Sequence, residues 1–457
     1  MAETGAPEEI QVYRATWVMP ITSDPIYDGA VAVKGDSIVA VAPFDKVSDA
    51  FPGARVIDFQ DALLLPGFVN CHSHLEYACF RGLIDNHNFG PWILEFIGFK
   101  ARLNGPDYAA SAYLGAAECI TSGITTVGDA MYSGESLKAI RQSGLRARAY
   151  QEALGIDDAH LDDTMARLSE KLDELREQTG DLIEIGLFPH ATYTVSASLY
   201  RAIAEYARER GMMVASHVAE SNEETIYIRS GTGMLALDLR EKVGWDHLSR
   251  QPFGVTPVKY LQQWNVFGPD FMAVHCVHVG PRDIDVMASH DVSVAHCPKS
   301  NAKLGCGIAP LPALLEAGMR VGFGTDSPAS SNIMDMFGEM RTAIFLHRGV
   351  RRDTRVLNAA DCVLMATLGG ARAMRMDDRI GSLEPGKQAD MIAVDIKFNH
   401  FTPVHDPYSA LVYGANQEDV FFTMVDGRVV YDRKVLKTLD NEKMTADALE
   451  VKNKLRS

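Results

Sequence analysis

Residues Leu63–Leu83 read LLLPGFVNCHSHLEYACFRGL, an apolar run that delivers His72 and His74, with the carboxylate of Glu76 two positions further on. A β-strand alternates its side chains between faces, so His72 and His74 point the same way and can share one metal ion. What such a pair means depends on whether other strands bring further ligands to the same place.

Downstream, short apolar runs recur as TTVGDA, RARAYQEAL, IEIGLFPH, MMVASHV, FMAVHCV, VSVAHCP and VGFGTDS, separated by helix-compatible segments such as SLYRAIAEYARERG and LPALLEAG. With the first run these make eight β/α units, and the pattern predicts an α/β fold, a (β/α)8 TIM barrel. Gly211 and Gly318 directly follow helical patterns, as expected of C-terminal caps. The two ends of the chain differ from the middle. VYRATWVMP, GAVAVKGDSIVAVAP and ARVIDF at one end, and ADMIAVDI, VFFTMVDGRVVYD and KVL at the other, are short β-rich runs, with DGR reading as a hairpin turn. Together they predict one small composite β-sandwich domain. The expected division is 1–62 and 376–440 for that domain, 63–375 for the barrel and 441–457 for a tail forming a surface helix. The interval from Gly231 to Gly268 exceeds a simple β/α connection and predicts a lid or an extra helix.

Composition narrows the function. The chain of 457 residues is 47% hydrophobic, without an apolar run near the ~20 residues of a membrane span, and Met1–Gly5 does not read as a signal peptide. Lys plus Arg number 44 against 60 Asp plus Glu, a formal charge of −16 that argues against nucleic acid as a partner. Seven cysteines with no CxxC pair predict a reducing, cytoplasmic setting and no disulfide framework.

In a (β/α)8 barrel the C-terminal strand ends converge on one mouth. On this reading the mouth receives His72 and His74 from the first strand, then His190, His217, His275, His296 and Asp326 from the fourth to the eighth. Three neutral imidazoles, His72, His74 and His217, plus the Asp326 carboxylate suit a single Zn²⁺, or Fe²⁺, with a position left for water. Metal coordination lowers the pKa of water from 15.7 to around 7, so hydrolysis is the natural use. Glu220, three residues after His217, is placed to shuttle a proton. His275 is placed to hydrogen-bond the nucleophile and the developing tetrahedral centre, and His278 to support its loop. His74-Leu75-Glu76 also matches the HxE of cytidine-deaminase-type zinc enzymes, but their PCxxC is missing.

PGFVNCHSHLE, SHVAES, VHCVHV, VAHCPKSNAKLGCGIAPLPALLEAG and GFGTDSPASSN resemble the amidohydrolase superfamily, in its branch of mononuclear-metal deaminases, over about Val12 to Tyr431. The resemblance implies one metal on His72, His74, His217 and Asp326. It also implies a proton shuttle at Glu220, assistance to the nucleophile from His275, and Asp326 as acceptor of a water proton. The fourth strand lacks the lysine that binuclear members carbamylate. His190 resembles the residue that contacts sugar or ring in nucleoside deaminases, and Trp92 an aromatic pocket wall. Glu76 is read either as a substrate reader or as an ion-pair partner of Arg81. Members acting on S-adenosylhomocysteine carry an arginine near the end of the third strand, where this chain has Gln151 and Glu152; a carboxylate there repels a carboxylate.

The motif set is most similar to the aminodeoxyfutalosine deaminases of the alternative menaquinone route, which makes aminodeoxyfutalosine the expected substrate. The alternatives are 5′-deoxyadenosine, methylthioadenosine or adenosine, a pterin, guanine or a triazine and, more remotely, a non-catalytic binding protein. The family also suggests a homo-oligomer.

Overall fold

The computed structural model describes residues 9–249 and 251–456; Met1–Gly5 lies outside them. The chain begins with β1 (Gln11–Val18), β2 (Ile26–Lys34), β3 (Ser37–Pro43), β4 (Arg55–Asp58) and β5 (Ala62–Pro66). The middle supplies β6 (Phe68–Ser73), β7 (Ile124–Met131), β8 (Arg146–Ala153) and β9 (Ile183–Pro189), then β10 (Val214–Val218), β11 (Phe271–His275), β12 (Ser293–His296) and β13 (Val321–Phe323). The chain returns through β14 (Met391–Asp395), β15 (Val420–Val425), β16 (Arg428–Asp432) and β17 (Val435–Leu436).

β6 to β13 form one eight-stranded sheet in chain order, and its ladders are parallel. These are the eight runs read from the sequence. The strands are buried on both faces, as parallel strands wrapped by helices must be. Closure falls to a single bridge between Ser73 and Asp326, where the Asp326 amide donates to the His72 carbonyl at 3.0 Å. The seam of the barrel is therefore made by residues of the predicted metal site.

The opening run divides between the two sheets. Leu63–Leu65 belong to β5 and pair with β14, and the barrel begins only at Phe68, not at residue 63. Pro66-Gly67 makes the turn between them, and Gly67 is required there because a Cβ would lie 2.1 Å from the Thr125 side chain.

The terminal segments build a single nine-stranded mixed sheet, ordered β17-β16-β15-β14-β5-β1-β2-β3 with β4 beside β1. Tyr13 on β1 and Phe422 on β15 are three ladder steps apart, which is about 14 Å on a flat sheet. Their ring centroids lie 5.7 Å apart, so the sheet curls onto itself around Tyr13, Phe59 and Phe422. The predicted DGR hairpin is present, with Asp426 and Gly427 at φ 54° and 71°, as a type I′ turn demands.

Arg146, at the start of β8, joins the two units. Its guanidinium is buried and donates to Asp390 at 2.9 and 3.0 Å and to Asp426 at 3.1 Å. Removing Asp390 takes two of these three bonds and leaves the buried guanidinium with Asp426 alone, so Asp390→Ala is expected to cost about 3 kcal/mol. The check is a lowered denaturant midpoint at unchanged slope.

Two sequence expectations change in detail. The 231–268 interval carries two short helices, Asp238–Lys242 and Pro257–Gln263. The tail is a helix, Asn441–Arg456, yet not a free surface one: Met444, Val451 and Leu455 are buried, and it packs against the helix Gly105–Thr121. The seven cysteines are free, and among the described residues no helix is long and apolar enough to cross a membrane.

Candidate active site and metal centre

The strand ends place the predicted donors together. His72 Nε2 lies 3.3 Å from His217 Nε2 and 3.6 Å from Asp326 Oδ1, and His74 Nε2 lies 3.8 Å from the same carboxylate oxygen. Two donor groupings, His72/His74/Asp326 and His72/His217/His275, meet at His72, and a third, Glu220/His275/Asp326, adjoins them; each has its ligand atoms within 4.8 Å. Ligands about 2.1 Å from a tetrahedral ion stand about 3.4 Å apart, close to these separations. The side chains themselves are buried, at 0–6% exposure. Imidazole nitrogens facing one another and a carboxylate in a dry pocket suit a shared cation, so the set fits one divalent ion. His296 stays outside it: neither ring nitrogen has a hydrogen-bond partner among the described residues, and the ring neighbours His347 at 5.9 Å.

Surrounding groups orient these donors. His74 Nδ1 bonds the Ala130 carbonyl at 3.1 Å, turning Nε2 inward. Asp326 Oδ2 accepts from Ser300 and Ser330 at 2.5 and 2.8 Å, leaving Oδ1 toward the histidines and the Ser327 amide. His275 Nδ1 bonds Asn301 Oδ1 at 2.9 Å, which leaves the Nε2 lone pair facing Glu220 Oε1 at 3.6 Å. Glu220 in turn is fixed through its backbone, whose amide donates to Glu224 at 2.8 Å. Four left-handed backbone positions occur here among the described residues, Ala219, His275, Cys276 and Asp326, at φ 52°, 72°, 50° and 56°. Non-glycine strain of this kind costs about 1–3 kcal/mol per residue and clusters at active sites.

Electrostatics follow from burial. It holds His74 and His217 neutral, far below the ordinary imidazole value, and lowers His275 to about 4. Neutral rings are the form a metal ion needs. Burial would also raise Asp326, but the His72 hydrogen bond and the neighbouring histidines outweigh it and keep the carboxylate ionised. Glu220 goes the other way: burial, then the Asp326 charge, push it well above the usual carboxylate range.

Above the donors lies a cavity of about 300 Å³ whose wall includes Trp92, Phe96, Leu239, Val243 and Trp245, so the 231–268 interval supplies part of it. Trp92, Glu152, His190, Glu220, His275 and Asp326 all line it, as the sequence reading expected. Glu76 does not, and neither of its predicted roles is present. It is fully buried, accepts from the Ser133 amide and hydroxyl and the Ser136 amide at 2.8, 2.9 and 3.2 Å, and Arg81 pairs with Glu118 instead. His278 bonds the Cys306 carbonyl at 2.9 Å, the loop-supporting role expected of it.

Sequence reasoning missed Lys100, Asn301 and Glu224. Asn301 sits in the PKSN stretch, where a polar pair after a strand-end histidine was the available signal. Lys100 closes the largely apolar helix Phe89–Lys100, and nothing local distinguishes it from a solvated helix end.

The chain matches the Amidohydrolase family over residues 63–430. It is 36% identical over 431 residues to a 5-methylthioadenosine/S-adenosylhomocysteine deaminase of Pelotomaculum thermopropionicum, covering 93% of this chain and 94% of that one. It is 35% identical over 428 residues to a 5′-deoxyadenosine deaminase of Methanothermobacter thermautotrophicus, covering 92% and 95%. The crystal structure of an adenosine deaminase from Xanthomonas campestris with bound zinc superposes with a TM-score of 0.88 at 31% identity, covering 99% of each chain. With its motifs, its barrel and its convergent donors in agreement, the chain belongs to the amidohydrolase family and is a hydrolytic enzyme acting on carbon–nitrogen bonds.

Proposed function

We propose that the protein is a metal-dependent deaminase of an adenine nucleoside with a small uncharged 5′ end, 5′-deoxyadenosine or methylthioadenosine, releasing ammonia from C6. The observation that carries this reading is Glu220, buried beside His275 and Asp326 at the base of an apolar cavity sized for a small nucleoside. The names of the relatives, one pairing methylthioadenosine with S-adenosylhomocysteine and one giving 5′-deoxyadenosine, support adenine nucleosides of this kind over aminodeoxyfutalosine, the first expectation from sequence. Glu152 supports it too, because a carboxylate-bearing tail would meet a second carboxylate on the cavity wall.

On this reading His72, His74, His217 and Asp326 hold one ion, zinc by the chemistry of the donors, and His275 stays free to act. Such an ion supplies a nucleophile at neutral pH by acidifying water and polarises the bond under attack. The chain's own residues manage the protons. Glu220, protonated in its dry setting, gives its proton to ring N1 as the oxygen–C6 bond forms. Asp326 accepts a proton from the attacking water, and the His275 Nε2 lone pair orients the water hydrogen. Glu220, now a carboxylate, takes the remaining proton from the C6 hydroxyl and gives it to the amine as the C6–nitrogen bond breaks and the carbonyl forms, and the proton held by Asp326 passes back to Glu220. Overall one water is consumed, its two protons end on N1 and on ammonia, and the ring becomes a 6-oxopurine.

The test is ammonia release by zinc-loaded enzyme, compared as kcat/KM across 5′-deoxyadenosine, methylthioadenosine, adenosine, S-adenosylhomocysteine and aminodeoxyfutalosine. One of the first two is expected to lead by at least about tenfold, a discrimination of about 1.4 kcal/mol. A lead for aminodeoxyfutalosine would restore the menaquinone reading, and no release from any adenine nucleoside would overturn the function.

A further inference from the structure

Three consecutive residues of β7, Gly128, Asp129 and Ala130, each take hold of a different part of the segment that carries His72 and His74. The ladder between β6 and β7 loses its step here. Asn70 pairs with Val127 and Ser73 with Asp129, so Cys71 and His72 together stand opposite Gly128 alone. Two residues facing one make a β-bulge, a device that re-aims side chains beside active sites. Gly128 makes room for it, because a Cβ there would lie 2.2 Å from the Cys71 carbonyl oxygen.

Asp129 grips the chain on both sides of His74. Its carboxylate is fully buried, and Oδ1 accepts from the Leu75 amide at 2.8 Å and from the Ser73 hydroxyl at 3.1 Å. The Ala130 carbonyl meets His74 Nδ1 itself, at 3.1 Å. With residues 73 and 75 held and the ring pinned through Nδ1, one strand sets both the place and the direction of His74 Nε2. Asp129 is held in turn. Its Oδ2 accepts from the Ser136 hydroxyl at 2.6 Å, and the Ser136 amide donates to Glu76 Oε1 at 3.2 Å. Glu76 therefore belongs to the same support. Desolvating two carboxylates that share Ser136 costs stability; what they supply is a set of fixed acceptors around one donor.

We propose that Asp129 is a positioning residue for the metal centre, acting through His74: it fixes Ser73–Leu75 so that His74 Nε2 stays facing Asp326 Oδ1, 3.8 Å away. Asp129 touches neither the ion nor the substrate, and its role rests on the reading of His74 as a metal donor. Hydrogen bonds rather than charge carry the support. An asparagine accepts from the Leu75 amide and the Ser73 hydroxyl through Oδ1 and donates through Nδ2 to the Ser136 oxygen, so Asp129→Asn preserves the arrangement and Asp129→Ala removes it.

Zinc dissociation constants, measured by competition with a chromophoric chelator, and the visible spectrum of the cobalt-substituted protein test this without any turnover. Asp129→Ala is expected to weaken zinc by about 10–100-fold, the range for loss of a group that supports a ligand, and to alter the cobalt spectrum. Asp129→Asn is expected to bind zinc within about threefold of the native protein, with the native spectrum. In a His74→Ala background, itself weaker, adding Asp129→Ala should weaken zinc no further, since the support then has no donor to act on. Equal weakening in both backgrounds would reduce Asp129 to general packing and overturn the proposal, as would a native zinc constant for Asp129→Ala. Should Asp129→Ala fail to fold, Ser136→Ala carries the same comparison, with a loss of at least about threefold expected when His74 is present and none when it is absent. Native zinc affinity in the His74→Ala protein would remove the donor reading and the proposal with it. Constants that behave as expected, with no ammonia released by the native enzyme from any adenine nucleoside, would retain the support and remove the deaminase reading.

Discussion

Glu220→Gln is expected to lower kcat by about 10²–10⁴-fold, the range for loss of a positioned general acid–base group, while zinc content and nucleoside affinity stay near native. The amide keeps the size of the carboxyl and its place beside His275, where Oε1 and Nε2 are 3.6 Å apart. It cannot, however, give a proton to the ring and recover it for the leaving amine. The backbone anchor is untouched, because the contact to Glu224 runs through the amide of residue 220 and not its side chain. Rate constants measured alongside metal analysis and equilibrium binding decide the matter. A Glu220→Gln enzyme with native turnover would place the proton shuttle elsewhere.

The second large effect is loss of the metal. Chelation followed by dialysis is expected to take ammonia release to background, and one equivalent of zinc to restore it. His217→Ala should give the same loss without recovery, because His72 and His217 meet nitrogen to nitrogen at 3.3 Å and none of the three retained donors, His72, His74 and Asp326, replaces the missing one. Thermal unfolding gives a readout independent of turnover. A ligand at about a thousand times its dissociation constant stabilises the folded state by about 4 kcal/mol. Zinc should therefore raise the unfolding midpoint of the native protein and leave that of the His217→Ala protein much less changed. Full activity in metal-free protein would remove the metal from the reaction altogether.

Much of this site was legible in the sequence because its chemistry is local to strand ends. A histidine or aspartate closing a short apolar run declares both its element and its end of the barrel, and His72, His217, His275 and Asp326 all do so. The repeated β/α alternation specified the barrel for the same reason, since each unit carries its own hydrophobic run and its own helix.

What the tertiary structure decided depends on partners remote in the chain. Glu76 looked available because its neighbours in sequence make no claim on it; the backbone that does, at Ser133 and Ser136, arrives from the end of β7 nearly sixty residues later. Lys100 became a cavity residue only because the Phe89–Lys100 helix lies across the mouth with Tyr77 and Tyr132 around its ammonium. The apolar run at Leu63 reads as one strand, yet it serves two sheets, because β14 returns from the far end of the chain to pair with its first half. Periodicity and residue type thus determined the elements and the donor set, while the satisfaction of buried polar groups, a property of the assembled fold, decided which side chains were left to meet a substrate.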